Sequence, residues 1–242
     1  APPRGLGQKH RDMADPSAIE LTSAAMSYSG RTLFRDVSLQ LAPGSFHFLT
    51  GPSGAGKTTL IKLCYGELQP TEGRVTFFDD DTGHMDRDTI ARLRRRIGVV
   101  HQDCRFIDHL SVAENILLPV TVSGGNVERA RSDMNDLLGW VGLQAMADHR
   151  PPELSGGERQ RAALARAVIL SPDIILADEP TGNVDWEMSL KILGLLIELN
   201  RLGKTVLCAT HDMSLIRQAK TRVSARVLRL RDGAVELAGA EL

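Results

Sequence analysis

Apolar residues in this chain gather into short, unbroken runs that stop abruptly at polar, glycine-rich or acidic turns. Residues 46–49, 97–100, 174–177 and 205–209 are such runs. Each is too short for a helix, and an apolar run of that length predicts a strand buried on both faces, as in a parallel sheet. Between the runs the period changes. Residues 59–63 open a helix, 127–141 carry helical spacing, and in 159–170 Leu164, Ala167 and Val168 share one face. Residues 186–202 place Leu190, Leu193 and Ile197 on an inner face, with Gly203 as a C-terminal stop. Earlier, residues 19–49 alternate in short segments broken by Gly30 and by Pro43 and Gly44, which predicts a small antiparallel region. Residues 74–78 add a short strand. The last 30 residues alternate around a turn at Arg231, Asp232 and Gly233 and are expected to finish the sheet.

Buried strands alternating with helices predict an α/β chain with a mostly parallel sheet. Residues 1–16 are polar, basic and proline-containing and read as a disordered tail, with Met13 a candidate native start. Residues 17–242 read as one domain. The stretch at about 103–160 lacks strand alternation and reads as an inserted α-helical lobe.

Composition narrows the function without naming it. Of 242 residues, 42% are apolar and 24% charged, with a net charge of -1, so no bulk electrostatic case exists for nucleic-acid binding. Aromatics, at 4%, are too few for a base-stacking surface. Cys64, Cys104 and Cys208 are odd in number and lie in apolar segments, which reads as reduced thiols in or near the core. No run approaches the roughly 18–20 apolar residues of a membrane span, and the first residues lack a signal-peptide core. The expectation is a soluble or peripheral protein of the cytosol. Asp79, Asp80 and Asp81 with Gly83 read as a solvated acidic hairpin rather than a metal loop. The basic run from Arg92 to Arg96 reads as a solvated helix end.

One stretch carries chemistry. Gly51, Pro52, Ser53, Gly54, Ala55, Gly56, Lys57 and Thr58, followed by Thr59, match G-x-x-x-x-G-K-[S/T] between a buried strand and a helix. The glycines let backbone N–H groups converge at a helix N-terminus, where an anion is favoured. Lys57 would reach the β- and γ-phosphates, and the Thr58 hydroxyl would ligate Mg²⁺. The run 174–177 ends in Asp178 and Glu179, which puts carboxylates at the ligand-binding edge of a parallel sheet. Asp178 would hold Mg²⁺ and Glu179 would polarise an attacking water; the bland alternative is a helix cap. Leu154, Ser155, Gly156, Gly157 and Glu158 form a second glycine-rich helix start with capping-box spacing. Two such starts in one domain raise a nucleotide site shared between molecules. Tyr28 taken alone reads as a half-buried sheet residue, with base stacking as the alternative, and His211 follows the run 205–209, at a better place for a functional histidine than most.

The phosphate loop, the Leu-Ser-Gly-Gly-Glu segment, Asp178 with Glu179, and His211 occur in an order that resembles the ATP-binding cassette (ABC) ATPases, from residue 19 to the C-terminus. The resemblance implies a phosphate-loop NTPase core with a mostly parallel sheet, an N-terminal antiparallel β region and an inserted helical lobe. It implies an ATP hydrolase using ATP and Mg²⁺, with Glu179, Gln102 and His211 as its catalytic set. By the same resemblance Tyr28 stacks on the base, and Gln102 joins Thr58 and Asp178 around the metal. His211 meets the γ-phosphate in cis. Ser155, Gly156, Gly157 and Glu158 face ATP held by a second copy, and Asp185 lies in the loop between copies. A homodimer formed on ATP binding is implied, as is an integral membrane partner docking between Gln102 and Pro119. The chain would then sit peripherally on the cytoplasmic face of a bacterial inner membrane, without direct nucleic-acid contact. Within the family, residues 177–185 resemble a group of lipoprotein releasers, macrolide exporters and a cell-division ATPase, and residues 103–119 and 188–200 look most like the cell-division branch. His101, Cys104 and Val184 depart from that branch, and Cys104 lies where the partner would dock. An exporter ATPase is the alternative. A soluble DNA- or ribosome-associated ATPase is disfavoured, since no long heptad insertion separates Gln102 from Leu154 and no second cassette is present.

Overall fold

Ten strands and seven α-helices succeed one another over residues 17–238, the part of the chain that this computed structural model describes. The tail expected at residues 1–16 lies outside those residues. β1 (Ile19–Tyr28) and β2 (Arg31–Leu41) pair antiparallel, and β3 (Phe46–Thr50) then leaves them for a second sheet. α1 (Lys57–Cys64), β4 (Glu72–Phe77), the two-residue β5 (Asp80–Asp81), α2 (Arg87–Arg94) and β6 (Ile97–Val100) follow. α3 (Val112–Val122), α4 (Val127–Val141) and α5 (Gly156–Val168) come next and pack on one another, with α5 also lying against β6. β7 (Ile174–Asp178), α6 (Trp186–Arg201), β8 (Thr205–Ala209), α7 (Met213–Lys220), β9 (Ala225–Arg231) and β10 (Ala234–Leu237) complete the order.

The first sheet runs β2-β1-β4-β5 and the second β10-β9-β3-β8-β7-β6. In the second, β9, β3, β8, β7 and β6 are all parallel and only β10 is antiparallel, so five carboxyl ends share one edge. The unbroken apolar runs follow from burial on both faces. Phe48, Ile175, Ala177, Val206 and Cys208 point into a core beneath α3 to α7, while Leu49, Ile174, Leu176, Leu207 and Ala209 point into a second core shared with the first sheet and α1. The three cysteines are buried and unpaired. Burial pushes the Cys64 thiol up to about 12 and Cys104 up to about 11, and it raises Cys208 as well. Among the described residues no helix is long and apolar enough to cross a membrane.

Two expectations change. The last 30 residues do not simply alternate, because Met213–Lys220 is a helix, with Asp212 capping it through the amides of Ser214 and Leu215. Its buried positions, Leu215, Ile216 and Ala219, follow a helical spacing. The basic run is also more than a solvated helix end. Arg94 donates to the carbonyls of Tyr65 and Gly66. Arg96 stacks 3.4 Å from the Phe78 ring centre and bonds Asp173 at 2.7 Å, tying the start of β6 to the turn before β7.

Candidate active site

β3 is buried at every position between β8 and β9, and it delivers the chain to the glycine loop at the shared carboxyl edge. Register puts Leu49, Ala209 and Asp178 side by side across β3, β8 and β7. The loop needs glycine where its backbone touches the sheet: a Cβ on Gly51 would lie 2.3 Å from the Leu230 carbonyl oxygen. Gly56, at φ 105°, is the N-cap of α1 and offers no capping side chain, and the first turn of α1 carries no acid. The first amides of that helix are therefore open to an anion. Lys57 is buried and folds back over the loop, donating to the carbonyls of Gly51 at 2.9 Å and Pro52 at 3.2 Å.

A cavity of about 610 Å³ opens over this loop, within the size range of small-molecule sites. Pro52, Ser53, Gly54, Gly56, Lys57, Thr58 and Thr59 form its floor, and Gln102, Asp178, Glu179 and His211 form its wall. Glu179 leaves β7 with φ 46° while its amide bonds the Ala209 carbonyl at 2.9 Å. A left-handed conformation is unfavourable for a residue with a Cβ, and here it turns the carboxylate into the cavity. That carboxylate, 12% exposed, lies 3.8 Å from the Lys57 ammonium and 3.0 Å from His211 Nδ1. A carboxylate, a cation and an imidazole thus meet above the glycine loop.

Asp178 has a different environment. It is buried, its Oδ1 has no hydrogen-bond partner, and the Thr58 hydroxyl bonds its carboxylate. Burial raises its pKa, the Thr58 bond opposes that rise, and the negative charge of Glu179 adds to it. An unmet carboxylate oxygen beside a hydroxyl fits a hard cation such as Mg²⁺. Among the described residues no three His, Cys, Asp or Glu side chains cluster around a metal, so such an ion would depend on phosphate oxygens for much of its shell.

Other residues singled out in the sequence lie elsewhere. Tyr28 is 43% exposed at the end of β1 and does not line the cavity. Ala55, within the loop, packs against the second core rather than facing the cavity. Ser155, Gly156, Gly157 and Glu158 form the N-terminus of α5, away from the cavity lining. Ser155 Oγ accepts from the Glu158 amide at 3.3 Å, and Glu158 accepts in return from the Ser155 amide at 2.8 Å and from its hydroxyl at 2.7 Å. Gly157 is packed against Met188, whose side chain a Cβ would approach to 2.7 Å. Asp185 caps α6 through the Met188 amide at 2.8 Å. The two segments touch through Gly157 and Met188. Leu33, from β2, lines the cavity and carried no signal in the sequence, where it is one apolar residue in an alternating strand.

Comparison with known proteins gives this geometry a setting. The ABC transporter family profile matches residues 34–182. The cell division ATP-binding protein FtsE of Haemophilus influenzae is 43% identical over 202 residues, covering 83% of this chain and 93% of that protein. The Bacillus subtilis FtsE is 37% identical over 208 residues, covering 86% and 91%. Among solved structures, the ATP-binding cassette MJ0796, a dimer in a post-hydrolysis state bound to ADP and Pi, superposes with a TM-score of 0.82 at 35% identity, covering 90% of this chain and 96% of that one.

Proposed function

This chain belongs to the ABC transporter family and is an ATP-binding, ATP-hydrolysing enzyme, and from that premise we propose that it is the ATPase of an FtsE-type complex in bacterial cell division. In this reading the α1 amides and Lys57 hold the β- and γ-phosphates, and Tyr28 stacks on the base. Thr58, Asp178 and Gln102 hold Mg²⁺, which when bound neutralises phosphate charge. Glu179 accepts a proton from the attacking water, and His211, bonded to Glu179, keeps the carboxylate aimed and meets the γ-phosphate. Ser155 and Gly157 of a second copy cover that γ-phosphate, so ATP closes a homodimer and hydrolysis opens it. The dimeric state of MJ0796 supports this half of the reading.

The motion is passed between Gln102 and Pro119 to an integral membrane partner resembling FtsX. The chain then works peripherally at the cytoplasmic face of the membrane, and the output is control of cell-wall hydrolases. Likeness to FtsE from two organisms over most of the chain supports this assignment.

The observation that carries the chemistry is the Glu179 carboxylate, turned into the cavity on a left-handed backbone between Lys57 and His211. Glu179→Gln should keep ATP affinity, accumulate dimer on ATP, and lose on the order of 10²–10⁴-fold in turnover, the usual worth of a positioned base. Near-normal hydrolysis by that variant removes Glu179 from the reaction. An affinity pull-down from bacterial membranes tests the partner: an FtsX-like protein supports the reading, and a lipoprotein- or drug-exporting permease replaces it with the exporter alternative.

A further inference from the structure

Side chains of α5 grip the backbone that follows β6. Gln160, 2% exposed, donates from Nε2 to the Gln102 carbonyl at 3.0 Å, while its Oε1 is buried without a partner. Further along the same helix, Arg166 donates to the Arg105 carbonyl at 2.8 Å and also to the Cys104 carbonyl. Its guanidinium lies 4.5 Å from the Phe106 ring centre, with that of Arg159 at 5.9 Å from the same ring. The backbone so held is unusual. Cys104 and Arg105 are consecutive left-handed residues, at φ 55° and 43°, and neither is glycine. Such residues persist only where their surroundings over-determine them.

A buried amide with one end unmet is unfavourable, and an apolar side chain of equal size would fill the same space without that cost. Among the described residues, the Gln160 side chain makes its hydrogen bond to the carbonyl of a residue that itself lines the cavity.

We propose that Gln160 and Arg166 are positioning residues that lock the backbone of residues 102–105, so that the Gln102 side chain is presented to the cavity and moves as one body with α5. The proposal rests on the reading of Gln102 as a group that acts on bound nucleotide. It makes the helix that begins at Ser155 a direct mechanical extension of the wall of its own copy's cavity. A shift at the start of α5 then reaches Gln102 through two side chains without passing through the sheet.

The test is a double-mutant cycle in the full chain with Gln102→Ala and Gln160→Met, measuring kcat and KM for Mg²⁺-ATP turnover together with Tm. Gln160→Met should lower kcat on the order of ten-fold, the worth of one hydrogen bond, with KM nearly unchanged. The double variant should be no slower than Gln102→Ala alone, because both changes remove the same presentation of Gln102. Losses that multiply overturn the proposal while leaving the role of Gln102 intact. Normal turnover by Gln102→Ala overturns the reading of Gln102, and the proposal with it. If Gln160→Met does not fold, Arg166→Lys, which keeps the charge but not the two-pronged grip, enters the same cycle with the same expectation.

Discussion

α1 starts at Gly56, which has no side chain to cap it, whereas α5 starts at Ser155, whose hydroxyl and amide are both engaged by Glu158. In sequence the two look alike: each is a glycine-rich turn entering a helix. Their electrostatics differ. The first turn of α1 carries no acid and opens on a buried lysine, so its open amides and positive end can take an anion unaided. The first turn of α5 holds a carboxylate, kept below the usual range by the Ser155 hydroxyl and then by the Ser155 amide. That carboxylate offsets the helix terminus and accepts from the Ser155 amide, while the Ser155 hydroxyl takes the Glu158 amide in return. A glycine-rich helix start thus has, by itself, the electrostatics of a phosphate site in one place. In the other it is a neutralised surface that gains a role only against charge brought from outside.

The comparison can be broken most sharply at Lys57. Lys57→Ala should weaken ATP binding about 100-fold by calorimetry, the scale of losing one or two charge-assisted hydrogen bonds. Unchanged affinity would mean that α1 is not the phosphate site described.

Acid should weaken the first region through its strand. His47, buried on β3, has its pKa lowered to about 4, chiefly by burial and then by the Arg226 charge. An unfolded histidine takes up its proton near 6.5, so between those values the unfolded chain binds more protons and stability falls as pH falls. From pH 8 to pH 5 the group should cost about 2 kcal/mol, read as a lower urea midpoint. His47→Gln should flatten that part of the profile; an equally steep profile in the variant clears His47.

Ser155→Ala is the gentlest cut and the most discriminating. Loss of the cap should cost about 1 kcal/mol of stability and slow turnover, while ATP affinity of the isolated chain stays as it was. A fall in that affinity would erase the distinction between the two helix starts.

How much of this was readable in advance follows the range of the forces involved. β3, β7 and β8 were legible because burial on both faces writes an unbroken apolar run, and α4 because its spacing is helical. The phosphate loop was legible because Gly51 through Thr58 act as one local unit. α7 is hard to read although Asp212 marks its start, since its eight residues merge with the alternating stretch that follows. Long-range partners left no trace: nothing near Arg96 points to Asp173, and nothing near Gln160 points to Gln102. The left-handed turn at Glu179 is also silent in sequence, because its cost is borne by the sheet around it. Leu33 reached the cavity wall through the pairing of β2, which no local pattern encodes.

The buried cysteines have a consequence at the bench. Thiolates, not thiols, react with maleimides and disulfides, and Cys64, Cys104 and Cys208 are all enclosed with their pKa values pushed well above neutrality. The native chain should therefore react slowly with such reagents near pH 7. A single cysteine placed at exposed Asp185 would be the only handle on the molecule. Oxidative cross-linking, or energy transfer between two labelled copies, could then report whether those surfaces meet, with no need to strip the wild-type thiols first.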